Sequence, residues 1–290
     1  MSELLSQNEH HDHPFEFGKN WTRFIANLTD TRIEDAEASL KSLIKIDFAR
    51  RRFFDAGSGS GLFSLAANRL GAEVTSLDVD THSVRCACEL RSRFGRSANE
   101  WKILQGTLLN RASLAKLGEF DIVYCWGVAH HTGNMWIAVD NVARLVNKGG
   151  LLVLAIYNDQ HYVSRIWRMV KSLYRRLPRV LKPLLVVSVG AYLFVKRLVV
   201  TVAACFFRLL LFRNPFLPLV AWARETQARG MHSWYDLVDW VGGWPFEVAK
   251  PEEVFYFLRE RGFILQELST SGGHGCNEFV FVRQADIVEK

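Results

Sequence analysis

A chain of 290 residues, 49% apolar and 23% charged, can bury a sizeable core, which excludes a disordered, fibrous or low-complexity protein. The five cysteines (Cys86, Cys88, Cys125, Cys205 and Cys276) form no C-x-x-C pair. They indicate neither a disulfide framework nor a cysteine zinc site, and a reducing cytoplasmic compartment is expected. The net charge of +6 hides an asymmetry: Gln160 to Arg224 holds twelve Lys or Arg and no acid, leaving 24 basic and 30 acidic residues elsewhere, a net of −6.

Residues 1–14 read as a polar tail that includes His10, His11 and His13, not as a metal site or a signal peptide; no metal is expected. Phe15, Phe17, Trp21, Phe24 and Ile25 mark a lead-in that packs on the core, so 1–30 is tail and lead-in. Residues 32–46 fit an amphipathic helix with Ile33, Ala36, Leu40, Leu43 and Ile44 on its apolar side. Strands at 52–55, 73–78, 101–105, 120–126 and 150–156 then alternate with helices at 62–70, 83–94, 111–117 and 135–146. Asn147-Lys148-Gly149-Gly150 reads as a helix stop and turn. Such alternation means a mostly parallel α/β sheet that binds ligands at the C-terminal ends of its strands, and 31–158 is its core. The pattern resumes late in the chain: Pro251–Arg261 is a helix, and Phe263–Leu268 with Glu278–Arg283 a closing antiparallel pair.

The first strand runs into Asp55-Ala56-Gly57-Ser58-Gly59-Ser60-Gly61-Leu62-Phe63 before a helical pattern begins. Glycines in a strand-to-helix turn allow positive φ and close approach of a ligand to backbone N–H groups. The second strand ends in Asp78, roughly 20 residues after the first glycine, where a Rossmann-like unit places a ribose-binding carboxylate. The spacing G-x-G-x-G, with an acid two residues before the first glycine, suits a cationic ligand with an amino-acid head better than a pyrophosphate.

These motifs resemble those of the class I S-adenosylmethionine-dependent methyltransferases, clearly over residues 45–157. The resemblance implies a seven-stranded, Rossmann-like, mostly parallel sheet with flanking helices, and S-adenosylmethionine as cofactor. It places Gly57, Ser58, Gly59 and Gly61 against the methionine part and Asp78 on the ribose, with Asp55, Leu62 and Val79 alongside. Many relatives carry an acid for the adenine amino group after the third strand; this chain has Gly106-Thr107, whose backbone could replace it. Trp126 and His131, after the fourth strand, would lie beside the sulfonium and the acceptor.

Methyl transfer requires alignment, exclusion of water and, for a hydroxyl acceptor, a base. His131 and His232 are the candidate catalytic bases; His161 and His274 lie in less defined contexts. Tyr157 and Asn158, ending the fifth strand, are candidate substrate residues. So are Trp234, Tyr235 and Trp240, within the aromatic and glycine-rich loop 229–247, which returns to the ligand edge and opens the final segment 229–290. Ser271–Glu278 joins the last strands and could border the same pocket.

Between these parts, 159–228 is a basic, apolar helical insertion. Residues 161–177 form a helix with Ile166, Trp167, Val170, Tyr174 and Leu177 on one side. Leu184–Val195 and Leu198–Phe207 are apolar runs separated by Lys196-Arg197, and each is too short to span a bilayer. This suits contact with an anionic membrane surface or a lipid-like acceptor; a self-packed subdomain or a homodimer interface is the alternative. The runs of Leu, Val and Phe argue against a nucleic-acid partner, since no aromatic platforms alternate with polar surface. The expectation is an O-methyltransferase of a small or amphiphilic acceptor (a lipid- or polyprenyl-linked phenol or sugar), cytoplasmic and peripheral at the inner membrane face. The rivals are an RNA methyltransferase and a non-catalytic cofactor-binding scaffold.

Overall fold

The computed structural model describes residues 25, 28–96, 100–228, 233–273 and 275–285. Two compact units make up the chain: Gln160–Gly243, and the residues on either side of it.

The flanking residues build the sheet unit. In chain order its elements are α1 (Asp30–Leu43), β1 (Arg52–Ala56), α2 (Leu62–Arg69), β2 (Glu73–Asp78), α3 (Thr81–Phe94), β3 (Trp101–Gln105), α4 (Arg111–Ala115), β4 (Phe120–Trp126), a short 3-10 turn (Ala129–His131), α5 (Met135–Ala143) and β5 (Val146–Tyr157). The seven strands lie in the order β3-β2-β1-β4-β5-β7-β6, where β6 is Phe263–Ser269 and β7 Cys276–Arg283. The first five are parallel; β7 runs antiparallel to β5 and to β6.

Alternation along the strands divides the core between the two faces of this sheet. Phe54, Val123, Leu152, Leu154, Phe279 and Phe281 point to one face; Phe53, Ile122, Tyr124, Leu151, Val153 and Val280 point to the other. Each buried phenylalanine contributes about 1.5–3 kcal/mol. α1 packs on α2 through Ile33, Ala36 and Leu40, as the apolar spacing predicts. Ile25 is buried in the same cluster; Phe15, Phe17, Trp21 and Phe24 lie outside the described residues.

Asn147–Gly150 departs from expectation. These residues lie inside β5, not in a turn before it. Val146 pairs with Phe120 and Leu151 with Ile122, so the extra residues form a bulge. Gly149 takes φ +76 there, and Asn147 Nδ2 donates to Asp121 Oδ1 at 2.7 Å. A helix does end shortly before them, at Ala143, and Gly149 has a turn-like positive φ, but the segment continues the strand and does not reverse the chain.

The unit Gln160–Gly243 is helical: α6 (Tyr162–Arg176), α7 (Lys182–Leu210), α8 (Leu217–Ala228) and α9 (Ser233–Gly242). It extends past the boundary at 228 expected from composition, because the presumed loop 229–247 is helical from Ser233 to Gly242. The two apolar runs form one continuous helix of 29 residues, since Lys196-Arg197 does not interrupt helical hydrogen bonding. In α6, Trp167 is buried but Ile166 is exposed, so the expected apolar side is split. The reason is α9: Trp167 meets Trp240 edge-on at 5.2 Å, and Lys171, fully buried, donates through Nζ to the Trp240 carbonyl. α10 (Pro251–Arg259) then returns the chain to the sheet unit.

Candidate functional site

Register brings the C-terminal ends of the parallel strands together. Ala56 pairs with Leu77, Asp78 with Gln105, and Trp126 with Ala155, so the segments after them share one edge.

The glycine loop is built from backbone. Gly57, Gly59 and Gly61 have φ of +84, +53 and +84, a region that costs other residues energy. A Cβ on Gly57 would come within 2.4 Å of Val128 Cγ1, and one on Gly61 within 2.9 Å of Ala87 of α3. Leu77 O accepts from Gly57 N (2.7 Å) and Ser58 N (3.1 Å), which ties the loop to the end of β2. Gly61 caps α2 without a side chain, so the first-turn N–H groups receive no capping acceptor from it. The Ser58 hydroxyl is buried and has no partner among the described residues, as expected of a group whose partner is a ligand.

Asp78 anchors the loop from the neighbouring strand. Its Oδ2 accepts from Gly59 N at 2.8 Å and its Oδ1 from Asp80 N at 2.9 Å. Each oxygen retains a second lone pair for a hydroxyl donor. Burial pushes this carboxyl up to about 6, against the lowering effect of the two backbone bonds. Val79 beside it is exposed. Gly106 N donates to Asp78 O at 2.9 Å, and a Cβ there would meet Leu77 Cδ1 at 2.9 Å, so glycine keeps the third strand end close. Thr107 Oγ1 accepts from Leu109 N at 3.2 Å, which shapes its own turn.

Asp55 differs from the direct ligand contact expected of it. It is only 3% exposed, and its Oδ2 accepts from Ser64 Oγ at 2.5 Å. Behind it runs a buried chain: Trp101 Nε1 donates to Ser76 Oγ (2.6 Å), and Ser76 and Ser64 hydroxyls are 2.6 Å apart. Trp101 can only donate, so the bonds run in one direction and end on Asp55. Burial pushes the Asp55 carboxyl up to about 7; the Ser64 bond opposes this and the charge of Asp78 adds to it. Two carboxyls with raised pKa beside a backbone cradle fit a cationic ligand, whose charge favours their ionised forms.

The second half of the site follows β4. Trp126 stacks on Tyr124 at 5.6 Å, with planes 2° apart. His130 is fully buried, and its Nδ1 accepts from Tyr157 N at 3.3 Å, so the proton sits on Nε2. His131 has the opposite tautomer. Its Nδ1 lies 2.7 Å from Pro245 O, an acceptor only, so Nδ1 carries the proton and the ring's basic lone pair is on Nε2. Tyr157 meets His131 edge-on at 5.4 Å and Phe246 at 5.5 Å. Glu247 closes the corner: its N donates to His130 O (3.0 Å), and its Oε2 accepts from Met135 N (3.0 Å).

Other expected site residues are placed differently. Asn158 Nδ2 donates to Ser271 O at 2.8 Å and its Oδ1 accepts from Asn277 at 3.1 Å, so this amide holds the 271–277 turn in place. Trp240 is occupied by Trp167 and by Lys171, whose ammonium lies 4.8 Å from its ring, which makes it a packing residue of the helical unit. Trp234 and Tyr235 lie in α9, and His232 and His274 lie outside the described residues.

A sheet of this order, with a glycine cradle after β1 and an acid ending β2, is a Rossmann-like arrangement suited to a nucleoside-type cofactor at its strand ends. Residues 54–152 match the family model of a methyltransferase domain. The chain is 29% identical over 120 residues to a ubiquinone biosynthesis O-methyltransferase of Psychrobacter arcticus, covering 39% of this chain and 44% of that one. It thus aligns with less than half the length of that relative. Magnesium protoporphyrin IX methyltransferase of Synechocystis, crystallised with S-adenosylhomocysteine, superposes with a TM-score of 0.52 at 14% identity, over 92% of this chain and 94% of that one. An N-methyltransferase of Bradyrhizobium japonicum, also with S-adenosylhomocysteine, gives 0.50 at 15% identity, over 93% and 100%. The chain carries a class I, Rossmann-like, S-adenosylmethionine-dependent methyltransferase domain.

Proposed function

We propose that this protein transfers a methyl group from S-adenosylmethionine to the hydroxyl of a small or amphiphilic acceptor, such as a lipid- or polyprenyl-linked phenol or sugar. The observation that carries the cofactor assignment is the cradle of Gly57, Ser58 and Gly59 held by Asp78, with a buried hydroxyl awaiting a partner. Bound there, S-adenosylmethionine supplies a methyl group already activated on a sulfonium. Gly57–Gly61 and Leu62 would hold its methionine part, Asp78 and Val79 its ribose, and the Gly106-Thr107 backbone its base. Asp55 and Asp78 would supply the negative field that a sulfonium favours.

The acceptor side follows from His131. Pro245 O fixes its ring so that Nε2 can take the proton of a hydroxyl as the methyl group is transferred. Tyr157 lies edge-on to it and packs in turn on Phe246, an aromatic wall that would limit water. An aromatic-lined wall with an oriented imidazole suits a phenol or sugar hydroxyl. The O-methyltransferase named among the relatives supports the same chemistry. The acid-free segment 160–224 would bring the protein to an anionic membrane surface at its cytoplasmic side, where such an acceptor partitions.

Transfer of label from S-adenosyl[methyl-14C]methionine to a total membrane lipid extract tests the reading. Label in an alkali-stable, organic-soluble product supports it; label only in RNA or protein acceptors offered in parallel refutes the acceptor class.

A further inference from the structure

Among the described residues, α7 is the one helix long and apolar enough to cross a membrane. Length and composition alone are compatible with spanning or with lying in the interface; the distribution of residues around the helix separates the two.

At 3.6 residues per turn, Lys182, Val186, Arg197, Thr201 and Arg208 share one side, where Val186 and Thr201 are buried. That side faces the rest of its unit. A Cβ on Gly190 would come within 2.7 Å of Leu237 of α9, and Trp222 of α8 lies 5.7 Å from Phe194 and 5.2 Å from Arg197. Leu184, Val195, Leu198, Val202, Phe206 and Leu209 share the opposite side, and all six are exposed. The Ser188 hydroxyl near them donates to Leu184 O at 2.8 Å, so it needs no water. α6 repeats the arrangement: Tyr162, Ile166, Met169 and Leu173 recur once per turn, exposed, beside Arg165 and Arg176.

We infer that α7 lies in the plane of an anionic membrane leaflet, its uncharged side in the acyl layer and its cationic side toward the headgroups, and does not cross the bilayer. A spanning α7 would put Lys196-Arg197 at the midplane. It would also draw α8 and α9 into hydrocarbon, because they meet α7 at its middle, around Gly190, Phe194 and Arg197. In the plane, both helices stay on the aqueous side. A second copy of the chain is a poor occupant of the same face, since pairing would set two segments of twelve cations and no acid against each other. Anionic lipid complements that charge. Lys171 does not take part: it is buried against Trp240.

The inference deepens the membrane part of the proposed function and is independent of its chemistry. The test uses the full chain with a dansyl amino acid incorporated at Leu184, Val195 or Phe206, and vesicles of phosphatidylglycerol and phosphatidylethanolamine carrying bromines at graded depths. All three probes are expected to be quenched most by the same shallow bromines, at about 5–10 Å below the headgroups. Deepest quenching at Val195, with Leu184 and Phe206 shallow on opposite sides, would establish a span and overturn the inference. No quenching at any probe would overturn membrane binding itself. In flotation, Leu198→Glu/Val202→Glu is expected to reduce the bound fraction at least tenfold while S-adenosylhomocysteine affinity is unchanged; undiminished flotation would count against the apolar face. Failure of the wild type to bind S-adenosylhomocysteine would refute the methyltransferase reading alone.

Discussion

Asp55→Asn tests the electrostatics of the cradle. Burial, with the charge of Asp78, holds the Asp55 carboxyl near 7 against an ordinary 3.8, despite the Ser64 bond. The folded state therefore binds this proton more tightly than the unfolded chain does. Stability contributed by the protonated form is present in full below about pH 4 and is lost as pH rises toward 7. One pKa unit corresponds to about 1.4 kcal/mol, so between pH 5 and pH 8 the wild type should lose on the order of 3 kcal/mol from this residue. Asparagine is neutral throughout and still accepts from Ser64, so the variant should gain on the wild type by about that amount over the interval. Its affinity for S-adenosylmethionine should fall more than its affinity for S-adenosylhomocysteine, because only the former carries a sulfonium charge. Urea denaturation of the apo proteins at both pH values, with calorimetry for the two ligands, reads both effects. A variant whose stability relative to wild type is the same at pH 5 and pH 8 would refute the assignment of a strained buried carboxyl.

Two further predictions follow from the site. Gly57→Ala should destabilise the fold by about 2 kcal/mol or more, through φ +84 and the overlap with Val128; adding Val128→Ala should recover only the overlap, which denaturant midpoints will show. His131→Gln should bind cofactor normally but form S-adenosylhomocysteine on membrane lipid extract about 10²–10⁴-fold more slowly; an undiminished rate would mean that alignment alone drives transfer.

The sheet was legible because each strand and crossover announces itself locally. β2, β3 and β4 fall on the spans that their periodicity predicts. The cradle was legible because glycine has few other reasons to recur in a strand-to-helix turn. Contacts across long separations were not. Glu247 caps α5 from 112 residues away, and the Trp101–Ser76–Ser64–Asp55 chain joins side chains from three strands and a helix. Nothing adjacent to those residues signals the partner. In the aromatic stretch after 229, Trp240 packs edge-on against Trp167, a contact that composition does not distinguish from a pocket wall. The bulge at Asn147–Gly150 carried the residues of a turn, and only pairing with β4 distinguishes the two.

The central claim is that Asp78 and the Gly57–Gly61 loop form an S-adenosylmethionine site. Titration calorimetry of S-adenosylhomocysteine into wild type and Asp78→Ala tests it most directly. The carboxylate serves the loop through Gly59 N and, in this reading, the ribose hydroxyls. Its removal should cost at least about 3 kcal/mol, roughly a hundredfold or more in affinity, in a protein that remains folded. One-to-one binding to wild type, its loss in the variant and no binding of NAD are the predicted results. Silence from the wild type, or equal affinity in a folded Asp78→Ala protein, would contradict the account.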